Sequence, residues 1–321
     1  MKDVRIPLKL IGLLADGELH SGQQFGAALG MSRAAINKHI QTVRDWGVDI
    51  FTVPGKGYRL HAPLQLLDGA AIRARLRSGR LAVLPIIDSI NQYLIEHIGT
   101  LEPGDACVAE YQARGRGRRG RQWISPFGNN LSLSLYWRLE QGPAAAGGLS
   151  LMVGIVMAEA LQRLGAAGVR VKWPNDLYLK DRKLAGILVE ITGNAGDAAH
   201  IVIGAGINLA MRKPAAGIID QDWINLQEAG IAIDRNALVA ELTDTLRQAL
   251  QQFEGDGFAP FVGRWKALDN FFDRPVKLLI GNREIRGISR GIDSQGALLL
   301  EQNGERHAYL GGEISLRGLS S

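Results

Sequence analysis

Midway along the chain, Gly115-Arg116-Gly117-Arg118-Arg119-Gly120 has the spacing of a dinucleotide-binding turn, and the residues after it forbid that fold. Such a turn must open a helix whose amino terminus holds a pyrophosphate. Here the chain continues Arg121-Gln122-Trp123-Ile124-Ser125-Pro126-Phe127-Gly128, which cannot run on as a helix. A doubly wound, nicotinamide-binding sheet is therefore excluded. No Walker A sequence is present either, so the chain is not a P-loop kinase. What remains is a loop built of arginine and glycine. Glycine lets backbone amides approach a ligand closely, and guanidinium groups grip phosphate oxygens in pairs. Residues 111–121 hold five arginines and no acid, so their mutual repulsion should keep the loop mobile until an anion arrives. A nucleotide is favoured over RNA because the arginine–glycine segment occurs once, inside a sheet domain.

Around this loop strands and helices alternate from residue 82. The pattern gives strands at 83–87, 106–110, 131–138, 169–172, 176–179, 184–190 and 201–207, with helices at 91–98 and 150–164. The second helix is apolar on nearly every side. Hairpins around one buried helix point to a mixed α+β sheet.

Two further constellations carry chemistry. In Lys172-Trp173-Pro174-Asn175-Asp176 and Lys183-Leu184-Ala185-Gly186, a turn at 180–182 puts Lys183 at the start of a returning strand. A lysine there can reach a substrate carboxylate and an α-phosphate together. Asn175 and Asp176 offer amide and metal-coordinating oxygens, and Mg²⁺ commonly takes only one or two protein carboxylates. Taken singly, each is more simply a solvated turn residue. In Gly204-Ala205-Gly206-Ile207-Asn208, glycine inside an apolar strand marks a close ligand approach or, equally, a bulge.

The first sixty residues read differently. A helix at 6–14 stops at Asp16-Gly17, a second covers 23–29, and Gly30-Met31-Ser32 breaks the chain with Ser32 as an N-cap. A third helix, 33–46, buries Ile36, Ile40 and Val43 and turns Asn37, Lys38, Gln41 and Arg44 to solvent. Helix, glycine turn and capped helix make a helix-turn-helix, and amides with Lys and Arg suit base edges and phosphates. A hairpin tipped by Pro54-Gly55-Lys56-Gly57 reads as its wing. Residues 1–60 hold eight Lys or Arg against five acids, which agrees with an anionic partner. A protein-binding helical domain is the blander reading. The unit ends near 61–66, before Leu67. At the other end, strands at 276–280, 284–289, 297–301 and 306–309 form a small β-barrel, with its boundary near 270–273.

Composition narrows the class. Among 321 residues, 46% hydrophobic and 21% charged, a single cysteine, Cys107, excludes disulfides within the chain and a cysteine-built zinc site. No apolar run approaches a membrane span, and the start carries no secretory pattern. A cytoplasmic protein is expected.

Together these residues resemble the bifunctional biotin–protein ligases that also repress biotin-synthesis genes, along essentially the whole chain. The most specific parts are Gly115 to Gly120 with Arg121 and Trp123, Lys172 to Asp176, Lys183 to Gly186 and Gly204 to Asn208. The resemblance implies a winged helix-turn-helix at 1–62, a class II synthetase-like mixed α/β ligase domain at 66–270 and an SH3-like β-barrel at 271–321. It implies that biotin and MgATP give biotinoyl-5′-AMP and pyrophosphate, and that a lysine of the biotin carboxyl carrier protein then attacks the acyl carbon. No haem is implied. Catalysis would fall to Lys183 and Arg118, Lys183 bridging the biotin carboxylate and α-phosphate. Ser89, Ile90, Asn91, Gln112, Gly115, Arg116, Gly117, Gly186, Gly204 and Gly206 would line the biotin pocket. Arg119, Arg121, Trp123, Lys172, Asn175, Asn208 and Trp223 would serve the nucleotide, with Asp176 on the metal. Gly22, Ser32, Arg33, Asn37, Lys38 and Gln41 would meet operator DNA. Residues 211–223 correspond to a loop over the adenine, 187–192 to the edge where adenylate-bound subunits pair as a homodimer, and Glu313 and Arg317 to supporting positions.

Two positions depart from the family. Ile90 stands where a threonine is usual, and Arg114 where an alanine is. A buried ligand atom left unpaired by Ile90 would cost about 1–3 kcal/mol. Three rivals remain: a ligand-sensing repressor without catalysis, a ligase of altered preference such as a lipoate ligase, and an RNA-binding protein using 114–121. Biotin binding without pyrophosphate release, a lipoyl adenylate, and steep salt dependence would mark them in turn.

Overall fold

A computed structural model describes residues 4–194, 196–212, 219, 221–311 and 314–318. Helices α1 (Arg5–Leu14), α2 (Gly22–Leu29) and α3 (Arg33–Asp45) are followed by the hairpin β1 (Ile50–Val53) and β2 (Gly57–Leu60). Ser21 caps α2 in a reciprocal box with Gln24, and Ser32 accepts from the Ala35 amide to cap α3. The expected three helices and wing are thus in place. Arg44 departs from expectation. Its guanidinium donates to the Ile50 carbonyl and, at 2.7 Å, to Thr52 Oγ1, so it braces the wing instead of facing solvent.

The core of this unit is not closed by its own residues. Phe127, from the central part of the chain, is buried beside Trp46, Ile40 and Leu60. Its ring stacks on Trp46 at 5.9 Å between centroids, and its amide donates to the Trp46 carbonyl at 2.9 Å. The connecting stretch is fixed as well. The Leu67 amide donates to Glu110, the Asp68 amide to Asn236 at 2.9 Å, and Arg235 to the Gln65 carbonyl.

The central sheet has seven strands in the order β3-β4-β5-β9-β8-β7-β6. They are β3 (Leu81–Ile87), β4 (Ala106–Gln112), β5 (Asn130–Leu139), β6 (Arg170–Lys172), β7 (Asp176–Leu179), β8 (Arg182–Thr192) and β9 (Ala199–Asn208). Only β3 and β4 run parallel, so the mixed sheet expected from the alternation is correct. Short helix α4 (Gly69–Arg73) precedes it and α5 (Ile90–Glu96) follows β3. Strand alternation sends Leu131, Leu133 and Leu135 to one face, where α6 (Leu149–Arg163) lies buried all round. Two helices that the sequence reading passed over, α7 (Arg235–Asp256) and α8 (Ala259–Leu268), cover α6. The opposite face carries α5 over Cys107, Ala109, Tyr136 and Val202.

The C-terminal strands β10 (Pro275–Ile280), β11 (Arg283–Ile292), β12 (Leu298–Gln302), β13 (Glu305–Tyr309) and β14 (Ile314–Gly318) form an antiparallel sheet in the order β13-β12-β11-β10-β14. Val276, Leu278, Leu298, Leu300 and Leu316 merge with the central core, and Trp173 donates to the Gly296 carbonyl at 3.1 Å. No helix among the described residues is long and apolar enough to cross a membrane.

Candidate active site

The site grows out of the sheet face that carries α5. Pairing registers align Asp176 with Gly186, Gly186 with Gly206, and Gly206 with Ser132 across four strands. The next row aligns Leu188, Gly204 and Ser134. Small residues at adjacent positions leave a shallow floor. The pairing of β9 is continuous on both sides, so Gly204 and Gly206 mark no bulge. They make room for neighbouring side chains. A Cβ on Gly204 would sit 2.3 Å from Asn91 Oδ1, and one on Gly206 2.4 Å from Trp123 Cε2. Trp123 thus lies over the Gly186–Gly206 pair.

Above this floor is a cleft of about 370 Å³. Ser89, Ile90 and Asn91 enter from the β3–α5 turn, where Ser89 caps the helix, and Gln112 from the end of β4. Gly117 and Arg116, Arg118, Arg119 and Arg121 come from the loop, with Trp123 beyond them. Lys172, Asn175 and Asp176 come from the β6–β7 segment, Lys183 and Gly186 from β8, Gly204, Gly206 and Asn208 from β9, and Trp223 from beyond it. The sequence-derived ligand residues therefore converge, save one. Gly115 does not line the cleft; a Cβ there would strike the Trp123 carbonyl at 2.4 Å, so its smallness serves backbone packing.

Electrostatics give the cleft its character. Among the described residues six cations line it (Arg116, Arg118, Arg119, Arg121, Lys172 and Lys183) against one lining carboxylate, Asp176. Lys183 Nζ lies 2.8 Å from Asp176 Oδ1, and Lys172 Nζ 3.5 Å from Oδ2. Burial alone would raise the Asp176 pKa, but the two lysines outweigh it and hold the group below the usual carboxylate range, so it stays ionised. Burial lowers the pKa of Lys172 and of Arg118. Arg118 also donates to Asn175 Oδ1 at 2.7 Å, and Arg116 pairs with Glu190 at 2.8 Å. The loop expected to be mobile without an anion is thus held by protein partners here. Such a site can bind a polyanion and neutralise charge that develops on it.

A polar network missed in the sequence backs the cleft. The Ile90 amide donates to Gln112 Oε1 at 3.0 Å, Gln112 Nε2 donates to Ser132 Oγ at 3.0 Å, and Ser132 meets Ser125 at 3.1 Å. Ser134 donates to Asn91, whose amide donates to Glu190 at 2.9 Å. Alternation in Asn130-Leu131-Ser132-Leu133-Ser134 was the available signal, since period two puts the polar residues on one face. Trp123 Nε1 is buried without a hydrogen-bond partner among the described residues.

Some expected participants lie elsewhere. Gly22, Ser32, Arg33, Asn37, Lys38 and Gln41 belong to α2, α3 and the turn between them, away from the cleft, with Asn37, Lys38 and Gln41 exposed. Glu313 and residues 213–218 and 220 of the expected adenine loop lie outside the described residues. On either side of that gap, Met211 and Trp223 line the cleft, while Arg212 pairs with Asp49 of the amino-terminal unit. The closest approach to a metal site is Asp176 alone; no group of three or more His, Cys, Asp or Glu side chains that could hold an ion occurs among the described residues.

Residues 8–59 match an HTH domain, 83–208 the Biotin/lipoate A/B protein ligase family, and 271–317 the Biotin protein ligase C terminal domain. The chain is 70% identical over 317 residues to the Bifunctional ligase/repressor BirA of Salmonella typhimurium, covering 99% of each chain. It is 68% identical to the protein of that description from Escherichia coli, again over 99% of each. Among solved structures it is similar to a biotin protein ligase from Aquifex aeolicus in complex with biotin and ATP. That match has 29% identity and a TM-score of 0.65, covering 75% of this chain and 99% of the other.

Proposed function

Since this chain belongs to the bifunctional biotin ligase/repressor family, we propose a role for each part of the cleft and of the fold around it. The protein activates biotin with ATP to biotinoyl-5′-AMP, transfers biotin to a lysine of the biotin carboxyl carrier protein, and represses biotin-synthesis genes through its DNA-binding unit. The observation that carries the site assignment is the cationic cleft with Lys183 paired to Asp176 over a glycine floor.

Ser89, Ile90, Asn91, Gln112, Arg116, Gly117, Gly186, Gly204 and Gly206 form the biotin end. Arg119, Arg121, Trp123, Lys172, Asn175, Asn208 and Trp223 form the nucleotide end. Lys183 stands between them and, with Arg118, offsets negative charge as the acyl phosphate bond forms. Trp123 Nε1 has a hydrogen to give a ligand. Magnesium enters as part of MgATP, carried chiefly by the phosphates. Asp176, whose oxygens lie 2.8 and 3.5 Å from the two lysines and keep lone pairs to spare, would be the carboxylate to meet that ion. The units 1–62, 66–270 and 271–321 divide the labour in a cytoplasmic protein. Past Ile187, whose amide and carbonyl are taken by Asn175, β8 has no further strand on that side among the described residues. This open edge supports pairing of two adenylate-bound subunits.

Biotin-dependent ATP–pyrophosphate exchange tests the catalytic reading. Exchange is expected with biotin and not with lipoate; biotin binding with no exchange would leave only a sensor. Ile90 supplies a second test. It is 3% exposed and packs with Leu94 and Tyr136 while lining the cleft. Ile90→Thr should tighten biotin binding by about tenfold in calorimetry, through a hydroxyl able to pair a ligand atom. Unchanged affinity would mean that the hydroxyl carries no net binding energy.

A further inference from the structure

The wing does more to the recognition helix than lie beside it. Tyr58, on β2, donates its phenolic hydrogen to Oδ1 of Asn37, one of the exposed residues of α3. Tyr58 is itself well anchored. Its amide donates to the His20 carbonyl at 2.8 Å, its carbonyl accepts from His20 at 2.9 Å, and its ring lies 6.3 Å from that of Phe25. Arg44 ties the same helix to β1 through Thr52 and Ile50. In this arrangement the Asn37 oxygen accepts from Tyr58, and its Nδ2 group is left for another partner. Turning the amide over would leave the phenol hydrogen without an acceptor among the described residues.

We propose that Tyr58 is a positioning residue that makes Asn37 a donor-only reader of DNA, directed at an acceptor edge in the major groove. An asparagine reads adenine by donating to N7 while its oxygen accepts from the N6 amino group. Here that oxygen is committed to Tyr58, and an incoming N6 hydrogen would have to share it. The Nδ2 group makes no hydrogen bond among the described residues, so its two N–H groups remain for a base. Guanine, which offers two acceptors in the groove and no donor, matches two N–H groups. The inference rests on reading α3 as the recognition helix and adds which base pair Asn37 selects and why.

The test uses the full chain with biotin and ATP, and the duplex it selects most tightly from a random library. One position in each half-site should be guanine and respond to Asn37. Replacing that guanine by 7-deazaguanine should weaken binding about tenfold, and Asn37→Ala should abolish the difference. In Tyr58→Phe, with thermal unfolding and pyrophosphate exchange unchanged, preference at that one position should move toward adenine. Sensitivity to loss of the N6 amino group should then appear. Adenine already preferred there by the unsubstituted protein, or a Tyr58→Phe variant with unaltered base preference, overturns the proposal and leaves the helix assignment standing. If no duplex is selected, or Asn37→Ala binds every sequence as before, the helix assignment falls and the proposal with it.

Discussion

Lys183→Ala is expected to reduce biotin-dependent ATP–pyrophosphate exchange by at least about 100-fold, the usual scale for losing one fixed charge-stabilising group. The substitution is clean because the backbone of Lys183 has a separate task. Its amide donates to the Asp222 carbonyl at 3.1 Å, and its carbonyl accepts from the Ile224 amide at 2.9 Å, contacts that alanine keeps. The ammonium at 2.8 Å from Asp176 is lost, and Asp176 keeps Lys172 at 3.5 Å as its partner. The consequence reaches DNA. If the adenylate is the co-repressor, this variant should also lose operator binding stimulated by biotin plus ATP. A ligand shifts a pairing equilibrium only by binding one state better than the other. A non-hydrolysable biotinoyl-adenylate analogue should restore protection in footprinting. Full protection of the operator by biotin alone, at the concentration used for the unsubstituted protein, would separate repression from the first half-reaction.

The second large effect falls on stability. Arg235→Leu should lower it by about 3–5 kcal/mol, the cost of stranding one member of a buried ion pair. Arg235 and Glu110 are 5% and 4% exposed and meet at 2.8 Å. The same guanidinium reaches the Asn130 carbonyl at 3.1 Å and the Gln65 carbonyl, joining α7, β5 and the connecting stretch. Scanning calorimetry should show the melting point reduced on the order of 10 °C. The double variant Glu110→Gln with Arg235→Met should recover much of the loss, because no charge is left unpaired. A single-variant loss below about 1 kcal/mol would show that water or rearrangement solvates Glu110.

What could be read from the sequence followed the strength of local signals. The helices of the DNA-binding unit announced themselves through their period and, at α3, through the cap Ser32. Cleft-lining residues in short runs, such as Lys172 to Asp176, stood out in the sequence, whereas Ser89, Gln112 and Trp223 were reached only through the family resemblance. Helix α7 was not legible. Its buried side includes Arg235, Asn236, Thr243 and Arg247, so the apolar stripe is interrupted by polar groups satisfied only in the tertiary structure. Arg247, for instance, donates to the carbonyls of Gly104 at 2.8 Å and Arg80 at 3.0 Å. Arg44 misled for the related reason that exposure on a helical wheel ignores a hairpin packed alongside. The purpose of Gly204 and Gly206 depends on Asn91 and Trp123, far away in sequence, and no local pattern encodes that.

Phe127 gives the molecule a seam with no neutral place to cut. It belongs by sequence to the stretch leaving the arginine loop, yet it fills the DNA-binding unit, where Trp46 in turn lies 6.3 Å from the ring of Tyr111 on β4. Severing the chain near residue 62 would therefore leave a phenylalanine-centred apolar patch on the ligase, about 1.5–3 kcal/mol of burial undone at that side chain alone. The two units therefore meet as a matched pair of surfaces, and neither is finished without the other.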